Sequence, residues 1–286
     1  MIRFADYTMI EQLKKIWKEC FHDEDSYIDF FFQEYFNDRT TLVYLFEGKP
    51  VSMLTLMPAK LHEKTGKRNV YYVYAVATLP EAQGKGYSSK LLNFANEITE
   101  HSTFLQPATK ELENFYEKNG YSVAIVRKTS NLTSEQLELE EMKLKVATIS
   151  SKQREFKIRE LSNKESVLYK KIRDKQLADV GYIEWEESVL AYAIKENAFT
   201  GGRTLLVDDS YVVMLREYEE VLHIREHTMP GDLIIEVARK LLASSDKREC
   251  SIHLTKSDEL HVDETQTIMS CFPVEKGEGY FSLAFE

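Results

Sequence analysis

The chain concentrates glycine, lysine and serine in one short run, Gln83-Gly84-Lys85-Gly86-Tyr87-Ser88. Here its residue types and spacing could do chemistry. Upstream lies Asn69–Ala77, NVYYVYAVA, whose valines and tyrosines favour a strand. Downstream, Ser88–His101 carries Leu91, Ala95 and Ile98 on one helical face. A strand, a glycine turn and a helix let backbone come close to a ligand, and the free N–H groups of the helix start point at an anion. The chemistry this suits is binding of a phosphate or pyrophosphate.

Other phosphate loops fit poorly. No GxxxxGK[ST] run exists, so this is not a P-loop. A dinucleotide fingerprint needs a third glycine where Ser89 stands and an acid some 20 positions on. The chain has Phe104 and Leu105 in that region, and Leu79-Pro80-Glu81-Ala82 separates strand from loop. The order Pro-Glu-x-Gln-Gly-Lys-Gly-x-Ser before a Leu-Leu helix resembles the coenzyme A loop of the GNAT N-acyltransferase superfamily. In that pattern Gln83 and Gly86 take their usual places, and Ser88 stands where glycine or alanine is usual.

A second segment supports the resemblance. Leu105–Tyr121 contains Asn-Phe-Tyr-Glu-Lys-Asn-Gly-Tyr, similar to the superfamily's FYEKxGF motif. Thr109 suits an N-cap, Glu111 the first turn and Gly120 the helix stop. Phe115 and Tyr116 adjoin on the helix and diverge, so Phe115 can face the core while Tyr116 points along the sheet toward the cofactor. The resemblance implies that Tyr116 protonates the departing thiolate of coenzyme A. A phenol of pKa ~10 is a donor at neutral pH beside a thiol of pKa ~8.5.

The resemblance further implies that acetyl-CoA is the co-substrate. Its pantetheine pairs with the backbone of Val76, Ala77 and Thr78, and an N–H there polarises the thioester carbonyl. The pyrophosphate rests on Gln83, Gly84, Lys85, Gly86, Tyr87, Ser88 and Ser89. The position that carries a basic carboxylate in some relatives falls on Tyr72, and no acid occurs from Val70 to Leu79. The base is left open among a water chain, Glu81 and the carboxy-terminal Glu286. The turn His22-Asp23-Glu24-Asp25 and the aromatic run after it, with Tyr27, Phe30 and Phe31, are candidates to line an acceptor entrance with Tyr72.

The elements that must position these residues follow in order. Thr8 with Glu11 reads as a capping box for a helix buried through Leu13, Ile16, Trp17 and Cys20. A second helix spans Tyr27–Phe36. Strands Thr41–Phe46 and Val51–Pro58 flank the turn Glu47-Gly48-Lys49-Pro50, and Lys64-Thr65-Gly66-Lys67 turns into the strand ending at Ala77. This order is that of a GNAT domain over residues 1–128. Residues 129–155 are polar and read as a linker. From 156 the pattern restarts: Phe156-Lys-Ile-Arg-Glu-Leu parallels Met-Ile-Arg-Phe, Ser162 precedes a helix, Trp185–Ile194 reads as another, and Asp208-Asp209-Ser210 repeats the hairpin turn. The second copy has Met229-Pro230-Gly231-Asp232 in place of the glycine loop and no second FYEKxGF. His223 and His227 share a strand face rather than a zinc site.

The expected fold is thus α/β (α+β): two GNAT-like domains, each a mixed, mostly antiparallel sheet flanked by helices, with 156–286 degenerate. An active amino-terminal unit leading a degenerate one resembles the enhanced-intracellular-survival type of bacterial acetyltransferase.

Composition narrows the partners. The 286 residues carry a net charge of −10, with 43% hydrophobic residues, and the pI is near 5.4. An acidic surface argues against nucleic acid. No apolar run approaches a membrane span, and no signal-peptide block opens the sequence. Three widely spaced cysteines form neither a metal pattern nor a disulfide framework, which fits a reducing cytoplasm. The expected activity is transfer of an acyl group, acetyl by the resemblance, to an amine on a small molecule or a peptide. The alternative is a coenzyme A-binding regulatory or scaffolding module without turnover.

Overall fold

The computed structural model describes residues 1–148, 154–255, 258–274 and 280–281. Two compact units divide the chain. The first comprises Met1–Leu61, Gly66–Ala124 and a late stretch beginning at Thr267; the second holds His62–Thr65 and Ile125–Gln266, with Tyr280 and Phe281.

The first unit opens with β1 (Ile2–Phe4), α1 (Ile10–Phe21) and α2 (Asp25–Glu34). Then come β2 (Thr41–Phe46), β3 (Lys49–Glu63) and β4 (Gly66–Thr78), followed by α3 (Tyr87–Ile98), β5 (Thr103–Leu105) and α4 (Lys110–Lys118). The start of β6 (Ser122–Thr133) closes this run. The sheet order is β1-β2-β3-β4-β5, then β13 (Glu264–Ser270). The first two pairings are antiparallel, β4 and β5 are parallel, and β13 joins β5 antiparallel through Met269↔Leu105 and Ser270↔Phe104. Alternation of Val, Leu and Tyr puts Leu42, Leu54, Leu56 and Val73 in one core with Leu91, Leu92 and Ala95 of α3, Tyr116 of α4, and Met269.

The Thr8 capping box is corrected. Asp6 is the cap of a short 3-10 turn over Tyr7–Met9: its carboxylate accepts the Thr8 N–H at 3.0 Å and also the Thr8 hydroxyl, so α1 starts later, at Ile10. Leu13, Ile16 and Trp17 are buried as expected, while Cys20 is only half-buried. The turn Glu47-Gly48 has positive φ at both residues, as a tight hairpin requires.

The elements of the second unit are α5 (Ser134–Thr148), β7 (Ile158–Glu160), α6 (Ser166–Leu177), β8 (Tyr182–Trp185), α7 (Glu187–Phe199), β9 (Arg203–Val207), β10 (Tyr211–Tyr218), β11 (Val221–His227), α8 (Gly231–Ala243) and β12 (Glu249–His253). They follow a similar order, with α5 added before the first strand, β8 between the two following helices and, among the described residues, no helix after β12. The sheet runs β7-β9-β10-β11-β12-β6, with β11 and β12 parallel and the rest antiparallel. This is the strand sequence of the first unit, including the parallel pair at the same place. The last strand of each sheet is exchanged in sequence: β13 serves the first unit, and Thr129–Thr133 of β6 pair with β12 in the second.

A cut at residue 128 therefore does not separate the units. The stretch read as a linker contains the end of β6 and α5, which Thr133 caps by accepting the Gln136 N–H at 3.3 Å. Leu137 of α5 is fully buried, whereas Leu139 and Met142 are exposed, and the helix packs against α8. Trp185 ends a strand instead of opening a helix; α7 starts after the extended Glu186.

Candidate functional site: a splayed strand, a glycine turn and a helix start

β5 pairs with β4 only at Tyr71↔Thr103 and Tyr72↔Phe104 and ends at Leu105. Beyond Tyr72, β4 runs on without that neighbour. Ala75 takes φ +54°, a left-handed conformation unusual for alanine, so the strand kinks just before Val76, Ala77 and Thr78. Val76 is half-buried; Ala77 and Thr78 are buried. A kinked strand with an open side is a ready template for an extended ligand.

The turn follows. Pro80–Ala82 form a single 3-10 turn, closed by Gln83 N–H to the Pro80 carbonyl at 3.3 Å. Gly84 and Gly86 both take φ +74°, which only glycine adopts without strain. Gly86 is the N-cap of α3 and supplies no side chain to the first turn. Among the described residues, the N–H groups from Gly84 to Ser89 have no hydrogen-bond acceptor. A row of free amides at a helix start is an anion cradle.

Two side chains of this run bond back to nearby backbone. Gln83 Nε2 donates to the Thr78 carbonyl at 3.1 Å, and Lys85 Nζ donates to the Glu81 carbonyl at 2.9 Å. Tyr87 is buried and stacks on Tyr44, ring centroids 4.3 Å apart, with Lys90 Nζ over both rings. Ser88 and Ser89 are half-buried. Tyr87 thus presents only its backbone to a ligand, and so does Gln83 as it stands. Tyr44 had no signal in the sequence, because nothing local marks a strand residue that meets its partner on a helix distant in the chain.

Three hydroxyls back the turn. Ser52 on β3 donates to the Ala77 carbonyl at 2.9 Å and lies 2.7 Å from Thr78 Oγ1, which lies 2.6 Å from Ser88 Oγ. The Cys20 thiol donates to the Thr78 carbonyl at 3.2 Å. Burial pushes that thiol's pKa up, so Cys20 is a weak nucleophile. Small hydroxyl residues within apolar strands were the legible trace of Ser52 and Thr78.

Tyr116 sits on α4, which Thr109 caps by accepting the Leu112 N–H at 3.4 Å and which stops at Gly120, φ +87°. The tyrosine is 7% exposed and belongs to the same core cluster as Val73 and Leu91, with Val76 packed against it. Burial pushes its pKa up to about 12, so it is a neutral O–H donor. Among the described residues its hydroxyl has no hydrogen-bond partner. Its ring meets Tyr121 edge-on at 5.9 Å, and the Tyr121 hydroxyl is held by Thr103 at 2.7 Å and Asn96 at 3.2 Å.

The aromatic candidates lie on α2 and β4. Tyr27 is half-buried, its hydroxyl 3.4 Å from that of Tyr74, and Phe30 is half-buried. Phe31 is fully buried, 4.5 Å from the Trp17 ring, and Tyr72 is buried against Phe104. Asp23 accepts the Trp17 indole N–H at 2.7 Å, which assigns one acid of the His22–Asp25 turn to a structural role. The carboxylate of Glu81 is on an exposed residue; Glu286 lies outside the described residues. No group of His, Cys, Asp and Glu suited to a metal occurs among the described residues, and no helix there is long and apolar enough to cross a membrane.

The second unit fills the corresponding place. β11 and β12 pair from Val221↔Glu249 as far as Ile224↔Ile252; beyond that the His253 imidazole bonds the Arg225 carbonyl at 2.8 Å, and the Tyr280 hydroxyl contacts the His227 N–H and carbonyl, each at 3.4 Å. Glu226, fully buried, takes Arg173 Nε at 2.8 Å and the Tyr169 hydroxyl at 2.6 Å. α8 then starts directly after Pro230 with Asp232 in its first turn, where a negative side chain disfavours a bound anion. His223 and His227 lie on β11, as a strand.

Residues 1–124 match the family model described as an acetyltransferase (GNAT) domain. Similar folds occur in a GCN5-related N-acetyltransferase from Anabaena variabilis, with 16% identity and a TM-score of 0.73, covering 94% of this chain and 71% of that one. A protein from Enterococcus faecalis described as a probable N-acyltransferase gives 14% identity and a TM-score of 0.72 over the same shares. Eis1 from Mycobacterium abscessus gives 10% and 0.66, covering 94% of this chain and 72% of that one. At these identities the likeness is one of fold. No curated protein matches the sequence.

Proposed function

We propose, from the premise that residues 1–124 belong to the GNAT acetyltransferase family, that the chain transfers an acetyl group from coenzyme A to an amine on a small molecule or a peptide. The observation that carries this is the run of free N–H groups from Gly84 to Ser89, at the end of a strand whose neighbour stops short. In this reading those amides hold the pyrophosphate, and the pantetheine lies along Val76–Thr78 as an added strand. Coenzyme A supplies the thioester; this chain's residues bind it, orient it and handle protons.

The amine nitrogen attacks the thioester carbon, the C–S bond breaks, and an amide and the free thiol form. Tyr116 faces the departing sulfur. Burial pushes the Tyr116 pKa up to about 12, so the phenol holds its proton more firmly than a free tyrosine. Its role is to donate a hydrogen bond to the charge developing on sulfur, while the net proton comes from the attacking amine. Tyr72 occupies the position where some relatives place a carboxylate, so the base is not a β4 side chain. In the second unit the filled strand side and Asp232 support a degenerate copy, giving one coenzyme A per chain. The three free cysteines suit a cytoplasmic enzyme.

Acetyl-CoA titrated into the full chain, followed by thiol detection with a panel of amines, tests this. Binding with thiol release on one class of amine is the expected result. Binding without release across the panel favours the non-catalytic module; absence of binding overturns the reading.

A further inference from the structure

The serine at position 88, where the family pattern has glycine or alanine, is not spare. Each hydroxyl in the Ser52–Thr78–Ser88 row has one hydrogen to give. Ser52 spends its own on the Ala77 carbonyl, 2.9 Å away. The 2.7 Å contact from Ser52 to Thr78 is then a bond donated by Thr78, and the 2.6 Å contact from Thr78 to Ser88 is donated by Ser88. The direction of the whole row is fixed by its buried end. Ser88 therefore points its hydrogen at the sheet and away from the cradle.

Thr78 is the hub of this arrangement. Its hydroxyl links β3 to the first turn of α3, and its carbonyl takes Gln83 Nε2 at 3.1 Å and the Cys20 thiol at 3.2 Å. Strand β3, the end of α1, the glycine turn and the start of α3 all fasten to this one residue. Ser52 is fully buried and Thr78 only 7% exposed, so water does not compete well for these bonds.

We propose that Thr78 is a positioning residue for the pyrophosphate: through Ser88 it clamps the first turn of α3 to the end of β4, so that the phosphates meet a preset row of backbone amides and no reorienting side chain. The inference rests on the coenzyme A reading of the same loop. A preset cradle gains affinity because its ordering cost is met before the ligand arrives.

The test is coenzyme A affinity of the full chain by calorimetry. Thr78→Val keeps the shape and the carbonyl and removes only the hydroxyl; affinity should fall about fivefold to tenfold. Thr78→Ser, which keeps the hydroxyl, should bind within about twofold of wild type. In a double-mutant cycle, Thr78→Val should add no further loss to Ser88→Ala, since both break the same clamp; a residue of general structural importance would add its full effect. Should Thr78→Val fail to fold, Ser88→Ala and Ser52→Ala are read alone, each expected to weaken binding several-fold. Wild-type affinity in Thr78→Val, or additive losses in the cycle, or wild-type affinity in both fallback variants, would overturn the clamp while leaving the coenzyme A reading intact. No binding by the wild-type chain would overturn both.

Discussion

Replacing Gly86 by aspartate places a negative charge in the cradle, and its effects on stability and on affinity separate cleanly. A Cβ at Gly86 meets nothing within 4 Å, so the added side chain clashes with no neighbour. The folding cost is that of φ +74° for a residue with a side chain, about 1 kcal/mol for aspartate, which tolerates this region better than most. Affinity suffers differently. A carboxylate ~5 Å from a pyrophosphate carrying about two charges costs roughly 0.8 kcal/mol per charge pair even in the dielectric of water, ~1.7 kcal/mol in all. Coenzyme A should thus bind at least about tenfold more weakly. Gly86→Asn carries the same backbone strain and bulk without the charge and should lose much less. The gap between the two variants should narrow as salt is raised from ~0.01 to ~0.1 M, where screening shortens from about 30 to about 10 Å. Calorimetry of the folded variants at both ionic strengths reads all of this. Equal affinities for the aspartate and asparagine variants would refute the placement of the phosphates against α3.

Tyr116→Phe should leave the coenzyme A dissociation constant nearly unchanged and lower kcat by ~10²–10³, the cost of losing one donor to developing charge; near wild-type turnover, with chemistry shown to limit the rate, would reduce Tyr116 to a packing residue. Because burial lifts the Tyr116 pKa from 10.0 to about 12, the stability it contributes is intact below pH 10 and is lost as pH rises toward 12. Wild type minus Tyr116→Phe should accordingly show no extra phenolate absorbance at pH 10. Ala75→Val puts a β-branched residue at φ +54° and should cost ~1–3 kcal/mol in urea unfolding, whereas Ala75→Gly should cost nothing; a valine variant as stable as wild type would deny the kink. Equilibrium titration should return one coenzyme A per chain, and a value of two would restore the second unit to function.

Local physics was what the sequence could be read for. The strand before Thr78, the free helix start at Gly86, the Thr109 cap and the Gly120 stop all depend on residues within a few positions of one another, and each appears where its chemistry requires. Competition between local choices was harder. Asp6 and Thr8 can both cap a helix, and the carboxylate wins because it also holds Arg3, with Arg3 Nη2 at 2.7 Å from Asp6 Oδ2. Trp185 fits the helical face that follows it, yet it closes the strand Tyr182–Trp185, where Tyr182, Ile183 and Trp185 are all buried and leave no alternation for the sequence to show. Long-range partners left no local mark. Nothing near Leu105 announces Met269, and nothing near Thr129 announces His253, because antiparallel pairing is chosen by the whole sheet. The candidate site was legible as backbone; what its side chains do, from Gln83 bonding the Thr78 carbonyl to Tyr87 stacking on Tyr44, required coordinates.

The late strand β13 has a consequence for how the protein is made. Thr103 and Cys271, whose N–H and sulfur meet at 3.3 Å, are 168 residues apart in the chain. At ~5–20 residues per second a ribosome needs roughly ten to thirty seconds to cover that interval. Through that time the nascent chain already holds β1 to β5 and the glycine turn, yet the outer side of β5 has no strand to pair with. Such an edge invites association with other chains, and closing so distant a contact slows folding. A gene truncated after α4 would leave the same edge open permanently, so its product should collect in the insoluble fraction even though it encodes every residue proposed to touch coenzyme A.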